Sequence, residues 1–206
     1  MVEDMTTPRE RRYERTRESI LTAARNLIAE RGADNVSLRA IARHVDYSPA
    51  GLYEYFGSKE EIIDELCYRG DAQLSEFLKR VPAEQPFGEM VVQLLEAYLD
   101  FARQNPEIYK VMFLQLKVGS SVVPEEFHSD DSFSILFRTI ERGVNEGQFQ
   151  GANDYSVFEI SYSIWAMAHG MAMLQLSYLR DFDFDFDSAN RKAIRVFLDG
   201  LQSPKT

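Results

Sequence analysis

The sequence predicts an all-α protein with a small N-terminal helix-turn-helix domain (residues 1–58) and a larger helical domain (59–206). Three observations carry this. Apolar residues recur at helical spacing along nearly the whole chain. Capping signals precede, and glycines follow, most of these stretches. Residues 37–59, SLRAIARHVDYSPAGLYEYFGSK, read as two short helices joined by a tight turn.

Thr7-Pro8-Arg9-Glu10 has the form of a capping box with proline at the first helical position. The helix it opens carries Ile20, Ala23, Ala24, Leu27 and Ile28 on one face and stops near Gly32. Ser37 then caps a helix whose Leu38, Ile41, Ala42 and Val45 share one apolar face. Asp46 and Tyr47 break the pattern. Ser48 caps a second helix and Pro49 begins it, where a missing N–H costs nothing. Leu52 and Phe56 face inward, so Ser48, Ala50, Gly51, Tyr53, Glu54 and Tyr55 fall on the outer surface. Two such helices form a unit whose second helix enters the DNA major groove.

Ser58-Lys59-Glu60-Glu61 is a second capping box, opening a long helix to about Arg80. Further helices are expected over roughly 87–103, 106–117, 131–147, 154–180 and 188–201, about nine in all. Asn105-Pro106 and Asp187-Ser188 give starts, Gly119 and Gly147 give stops. The stretch Asp181 to Asp187, DFDFDFD, alternates strictly. It opens like a calcium loop, but Phe186 and Lys192 stand where such a loop needs Gly and Glu. It is expected to be an extended connector with its phenylalanines tucked against the body.

The net charge of −10 argues against nucleic acid, but its distribution reverses that. Residues 9–59 hold ten Arg and Lys against seven Asp and Glu, while residues 60–206 hold thirteen against twenty-four. A mildly basic head on an acidic body orients the molecule toward phosphates. Cys67 is the only cysteine, which suits a reducing cytoplasm. No apolar run is long enough for a membrane span. No G-x-S-x-G, H-E-x-x-H, C-x-x-C, P-loop or dinucleotide-binding pattern supports an enzyme, and neither metal nor cofactor is expected.

Residues 37–62 resemble the DNA-binding domain of the tetracycline-repressor (TetR) family of bacterial regulators. The likeness rests on Ser37, Ile41, Ala42, Ser48, Leu52, the run Tyr53-Glu54-Tyr55-Phe56-Gly57-Ser58-Lys59, Glu60 and Ile62. Two positions depart from the family pattern: Asp46 stands where the turn usually has Gly, and Pro49-Ala50 where the second helix often opens with Lys-Gly. Asp tolerates left-handed geometry better than most residues, so the turn is expected to survive. Downstream, Trp165-Ala166-Met167-Ala168-His169-Gly170 and Asn105-Pro106-Glu107-Ile108-Tyr109 resemble the Trp-His-Gly subgroup of C-terminal domains.

The resemblance implies a ligand-responsive regulator, most simply a repressor, that binds double-stranded DNA as a homodimer. Its implied DNA contacts are Ser37, Arg39, Ser48, Pro49, Ala50, Gly51, Tyr53, Tyr55 and Lys59. Lys59 and the hydroxyls would hold phosphates, Arg39 could pair with a guanine edge, and Ala50 and Gly51 could meet a thymine methyl. Arg9 to Arg17 are either phosphate contacts or a solvated charged face. The effector is expected to be apolar or aromatic, in a pocket drawn from Tyr98, Phe101, Tyr109, Met112, Phe113, Phe137, Trp165, His169 and Met173, with Leu116, Phe133 and Met167 as further candidates. The same residues also read as ordinary helical core, and His169 as a hydrogen-bonded core histidine. The helix over 154–180 is apolar nearly all round and so needs a partner on one side. Phe158, Met171, Leu174, Tyr178, Ile194, Phe197 and Leu201 are the expected dimer contacts. The competing reading is an interaction protein that keeps the helix-turn-helix fold without sequence-specific DNA binding.

Overall fold

A computed structural model describes residues 7–114, 131–149 and 154–202. Among them every regular element is helical: α1 (Pro8–Arg31), a 3-10 turn (Ala33–Asn35), α2 (Leu38–His44), α3 (Pro49–Leu52), α4 (Lys59–Lys79), α5 (Phe87–Gln104), α6 (Pro106–Leu114), α7 (Ser132–Asn145), α8 (Val157–Leu176) and α9 (Phe186–Gln202). They form two compact units. The first comprises residues 1–70 and 107–120, the second 71–106 and 121–206. The expected division at 58/59 falls inside the first unit, where α4 begins.

In the first unit α1 packs on α2, and α2 on α3. The Thr7 capping box forms, with Thr7 Oγ1 accepting from Glu10 N and Glu10 accepting from Thr7 N. Gly32 ends α1 at φ 79°, a left-handed value that glycine takes without strain. Ile20, Ala24, Ile28, Ile41, Ala42, Leu52, Phe56 and Ile62 close a core with almost no solvent contact. Asn105 ends α5 with both its amides on the Phe101 carbonyl, and Pro106 opens α6. Tyr109 and Val111 of α6 are fully buried. Gly70 of α4 gives α6 room to approach, because a Cβ there would collide with Met112 and Ile108. Of the two expected glycine stops, Gly147 ends α7 as expected, at φ 71°, whereas Gly119 and residues 115–117 lie outside the described residues.

In the second unit α8 lies against α5 and α7, and α9 against α5. Ion pairs stitch α5 to α9: Glu89 to Arg195 at 2.6 Å and Glu96 to Arg191 at 2.6 Å, with Arg103 reaching Asp187 at 3.0 Å. Asp71 on α4 accepts from both the backbone and the hydroxyl of Ser132 at the start of α7. Burial holds the Asp71 carboxyl above its usual range.

The stretch around DFDFDFD is a correction. α8 stops at Leu176 rather than near 180, and turns follow through Asp181. Asp185 then caps α9 by accepting from Ser188 N, which draws Phe186 and Asp187 into the helix two residues earlier than expected. Turn bonds from Phe182 N to Leu179 O and from Phe186 N to Phe184 O break the alternation. Phe182 and Phe184 are therefore 61% and 55% exposed instead of tucked in, and they pack with Phe186 as a cluster of three rings 5.1–6.4 Å apart.

Candidate nucleic-acid interface

The helix-turn-helix is built from local polar bonds. Ser37 Oγ accepts from Ala40 N at 3.2 Å and caps α2; Ser48 Oγ accepts from Gly51 N at 3.0 Å and caps α3. Each oxygen thereby satisfies an end amide, and its own hydrogen is left for an outside acceptor. Asp46 takes φ 55°, so the turn keeps the left-handed geometry with Asp in place of Gly. The second helix is shorter than expected. Only Pro49–Leu52 is α-helical, and Tyr53 to Tyr55 continue as turns bonded to Gly51 and Leu52 carbonyls.

Leu52 and Phe56 anchor this element in the core. Ser37, Arg39, Ser48, Pro49, Ala50 and Glu54 are exposed, Tyr53 is 59% exposed, and Gly51 and Tyr55 are half-buried. The sequence-derived DNA contacts are thus exposed or half-buried positions of α2, α3 and the turns after it, and Lys59 is the one of them tied to a distant backbone group. Its ammonium donates to the Ala33 carbonyl at 2.9 Å and closes the loop after α1, with two N–H donors left over. Below it Ser58 Oγ accepts from Glu61 N, while Glu61 turns back to Gly57 N instead of Ser58 N, a shifted form of the expected box.

The arginines of α1 divide. Arg9, Arg11, Arg12 and Arg15 are exposed. Arg17 is committed inside the unit, 3.1 Å from Glu65 and 4.7 Å above the Phe56 ring, so it belongs with the fold rather than with phosphate. Arg69 also pairs with Glu65 at 2.6 Å, and bonds to Arg17 and Arg69 hold the Glu65 carboxyl below its usual range.

A tyrosine cluster that the sequence reading passed over joins α1 to the turn. Tyr13 stacks on Tyr55 at 4.8 Å, and its hydroxyl donates to the Glu54 carbonyl. Tyr47 meets Tyr55 edge-on at 6.0 Å, with its hydroxyl 3.4 Å from Thr16 Oγ1. The bond to Thr16 lowers the Tyr47 hydroxyl pKa, and burial raises that of Tyr55. The signal was Tyr13 and Thr16, three apart on α1; pairing them with a turn residue thirty positions on needed the tertiary structure.

The expected effector residues fall into both units. Tyr109, Met112 and Phe113 lie in the first, where Tyr109 and Phe113 are in ring contact at 4.7 Å. Tyr98, Phe101, Phe137, Trp165, His169 and Met173 lie in the second. There the Tyr98 hydroxyl is 3.1 Å from His169 Nδ1, Trp165 stands 6.1 Å from His169, and Phe133 is edge-on to Trp165. Burial lowers the His169 pKa, which favours the neutral ring. A cleft of about 340 Å³ elsewhere in this unit is lined by Leu99, Ala172, Leu176, Leu179, Arg180, Phe182, Phe184 and Phe186 among others, and by none of the nine expected residues. Leu116 lies outside the described residues.

The expected dimer residues also divide. Phe158, Leu174 (48% exposed) and Tyr178 (90%) are open to solvent, and Met171, Phe197 and Leu201 are half-buried. Ile194 is fully buried in its own unit, because it lies on the α9 face with Asn190 and Leu198. α8 buries Ile160, Ile164, Ala168 and Ala172. Its other face runs Phe158, Tyr162, Ala166, Gly170, Leu174, a stripe of five residues spaced four apart with small side chains at its centre.

Residues 20–66 match the family of bacterial regulatory proteins, tetR family, and residues 91–197 match a tetracycline-repressor-like C-terminal domain. The chain belongs to the TetR family of helix-turn-helix transcriptional regulators. It is 25% identical over 187 residues to the uncharacterized HTH-type transcriptional regulator YobS of Bacillus subtilis, covering 90% of this chain and 92% of that one. It is 26% identical over 170 residues to the nucleoid occlusion factor SlmA of Haemophilus influenzae, covering 80% and 74%. The TetR family transcriptional regulator PfmR of Thermus thermophilus has the same fold, at TM-score 0.62, 24% identity and 89% and 99% coverage. A tetR-family regulatory protein from Rhodococcus superposes at TM-score 0.67 with 18% identity and 92% and 98% coverage. Among the described residues, no helix is long and apolar enough to cross a membrane.

Proposed function

We propose that this protein is a ligand-responsive repressor that binds a palindromic operator as a homodimer. The observation that carries the reading is that Ser37, Arg39, Ser48, Pro49, Ala50 and Tyr53 are all exposed on two short helices and the turn that follows them, which are set by two serine caps and a left-handed Asp46. Hydroxyls and exposed arginines there suit phosphate oxygens, which set position, while Arg39 and the α3 surface are left to read bases. One helix-turn-helix has a small footprint. Two copies joined through the open apolar stripe of α8 give the affinity and the two-fold symmetry that a palindrome mirrors, with heads about 34–36 Å apart.

The DNA-binding domain is residues 1–58, and the part from Lys59 onward serves effector binding and dimerisation in a cytoplasmic protein. The effector is an apolar or aromatic small molecule. It lowers DNA affinity by preferring a state with different head spacing, and by no more than its own differential affinity for the two states.

The test is selection of bound duplexes from a randomised pool by the purified protein. Recovery of two inverted half-sites supports the reading, and release of that duplex then screens effectors. Failure to enrich any sequence at low salt, by protein refolded to remove a carried ligand, contradicts it and favours an interaction protein that kept the fold.

A further inference from the structure

The DFDFDFD stretch borders the cleft of about 340 Å³, a volume in the range of small-molecule sites. Every residue that lines this cleft belongs to the second unit. Leu99 of α5 and Ala172 and Leu176 of α8 give it aliphatic walls, and Phe182, Phe184 and Phe186 add three rings. The rings meet at 35–67°, so they form facets that look in different directions rather than one stack. Phe182 and Phe184 each keep more than half of their surface open. Large rings grouped in this way at a cleft mark a binding site more often than a bare surface.

Charge narrows the class of ligand. The two segments that supply the lining, residues 99–103 and 172–187, hold five carboxylates against two guanidiniums. Arg103 is already bonded to both Asp187 and Asp100. Arg180 is exposed, and among the described residues no cationic side chain stands over any of the three rings. Nor do the carboxylates converge: among the described residues no three metal-ligating side chains come together. They cannot offer the close oxygen shell that a calcium ion takes, but they surround the rings with a spread negative field. A ring face attracts a cation, and a quaternary ammonium has no N–H that must find an acceptor. The geometry points to this cleft as a binding site for an organic cation with an apolar body, of the quaternary ammonium class, held on the faces of Phe182, Phe184 and Phe186. The inference is independent of the reading of the first unit.

The experiment titrates the full-length protein, without DNA and at low salt, with benzyltrimethylammonium and with phenylmethanesulfonate, a probe of similar shape and opposite charge. Binding is read from the broadening of the probes' own proton resonances. The cation is expected to bind with Kd below about 1 mM, and at least about tenfold more tightly than the sulfonate. Replacing both exposed rings, Phe182→Leu with Phe184→Leu, keeps apolar bulk and removes two ring faces. This should weaken the cation about five- to thirtyfold, the worth of two exposed cation–π contacts. Arg180→Gln removes a like charge, so the cation should bind as well as before or more tightly.

Absence of cation binding overturns the inference, as does a sulfonate that binds equally or better. Undiminished cation binding in the double leucine variant overturns it too, because the rings would then not be the site. Weaker cation binding in Arg180→Gln would do the same, since the guanidinium would then be part of the anchor. If the double variant does not fold, Phe184→Leu alone decides, with a loss of about two- to fivefold expected.

Discussion

The two units of this chain are built by different means. In the first, polar side chains fix the backbone at named points: Thr7, Ser37 and Ser48 cap helices, Asp46 makes the turn and Lys59 closes a loop. In the second, large apolar side chains set the helix packing, with ion pairs along α5 and α9 at the margin. A unit of the first kind displays its function as a polar surface. In a unit of the second kind, side chains suited to an apolar ligand have the same chemistry as the core.

The contrast can be broken at Leu52, the fully buried anchor of the one-turn α3. Leu52→Ala is expected to destabilise the first unit by about 2–5 kcal/mol and to abolish operator binding. Trp165, the only tryptophan, reports the second unit alone, so its emission should stay native in this variant. Loss of both signals together would show that the units do not stand apart energetically.

Leu174→Arg attacks the second unit from outside. Leu174 is exposed on the α8 stripe, so the chain should fold but sediment as a monomer, with operator affinity down roughly a hundredfold or more as the linked second head is lost. A dimer at full affinity would place the interface elsewhere. Ser48→Ala removes a cap, at a cost of about 1 kcal/mol, measured by thermal unfolding and by a matching fall in operator affinity.

The smallest effect concerns Cys67. Burial raises its thiol to about 11, against about 8.5 for a free cysteine. A raised pKa leaves the reactive thiolate scarce at neutral pH and increases it as pH climbs toward 11. Alkylation at pH 8 should run at least about tenfold slower in the folded protein than in the denatured chain, and still accelerate at pH 10. Equal rates would contradict this.

The difference between the units also decides what could be read from the sequence. Caps and turns are local, so α1, α2, the turn at Asp46 and the outward set from Ser37 to Tyr53 follow from neighbours three or four residues apart. Ser156 and Glu159 form a capping box of the same kind, a signal that would have started α8 at Val157 rather than near 154. What the sequence did not show depended on distant partners. Lys59 and Arg17 carry charges suited to phosphate, and the Ala33 carbonyl and Glu65 that they bond lie 26 and 48 residues away. Alternation in DFDFDFD implied one buried face, yet the Asp185 cap and the turns before it settled the backbone first. Nor could periodicity separate Ile194, buried in its own unit, from Leu174, which is open: both are apolar residues on apolar helix faces.

The function of the first unit turns on whether its polar surface reads DNA. A titration of the purified protein against its selected duplex and a scrambled duplex of equal length, over a salt series, tests this. The expected result is about a thousandfold preference for the selected duplex or better, with log affinity falling linearly in log salt at about 0.9 per phosphate contact. Equal affinity for both duplexes, or binding indifferent to salt, would contradict it.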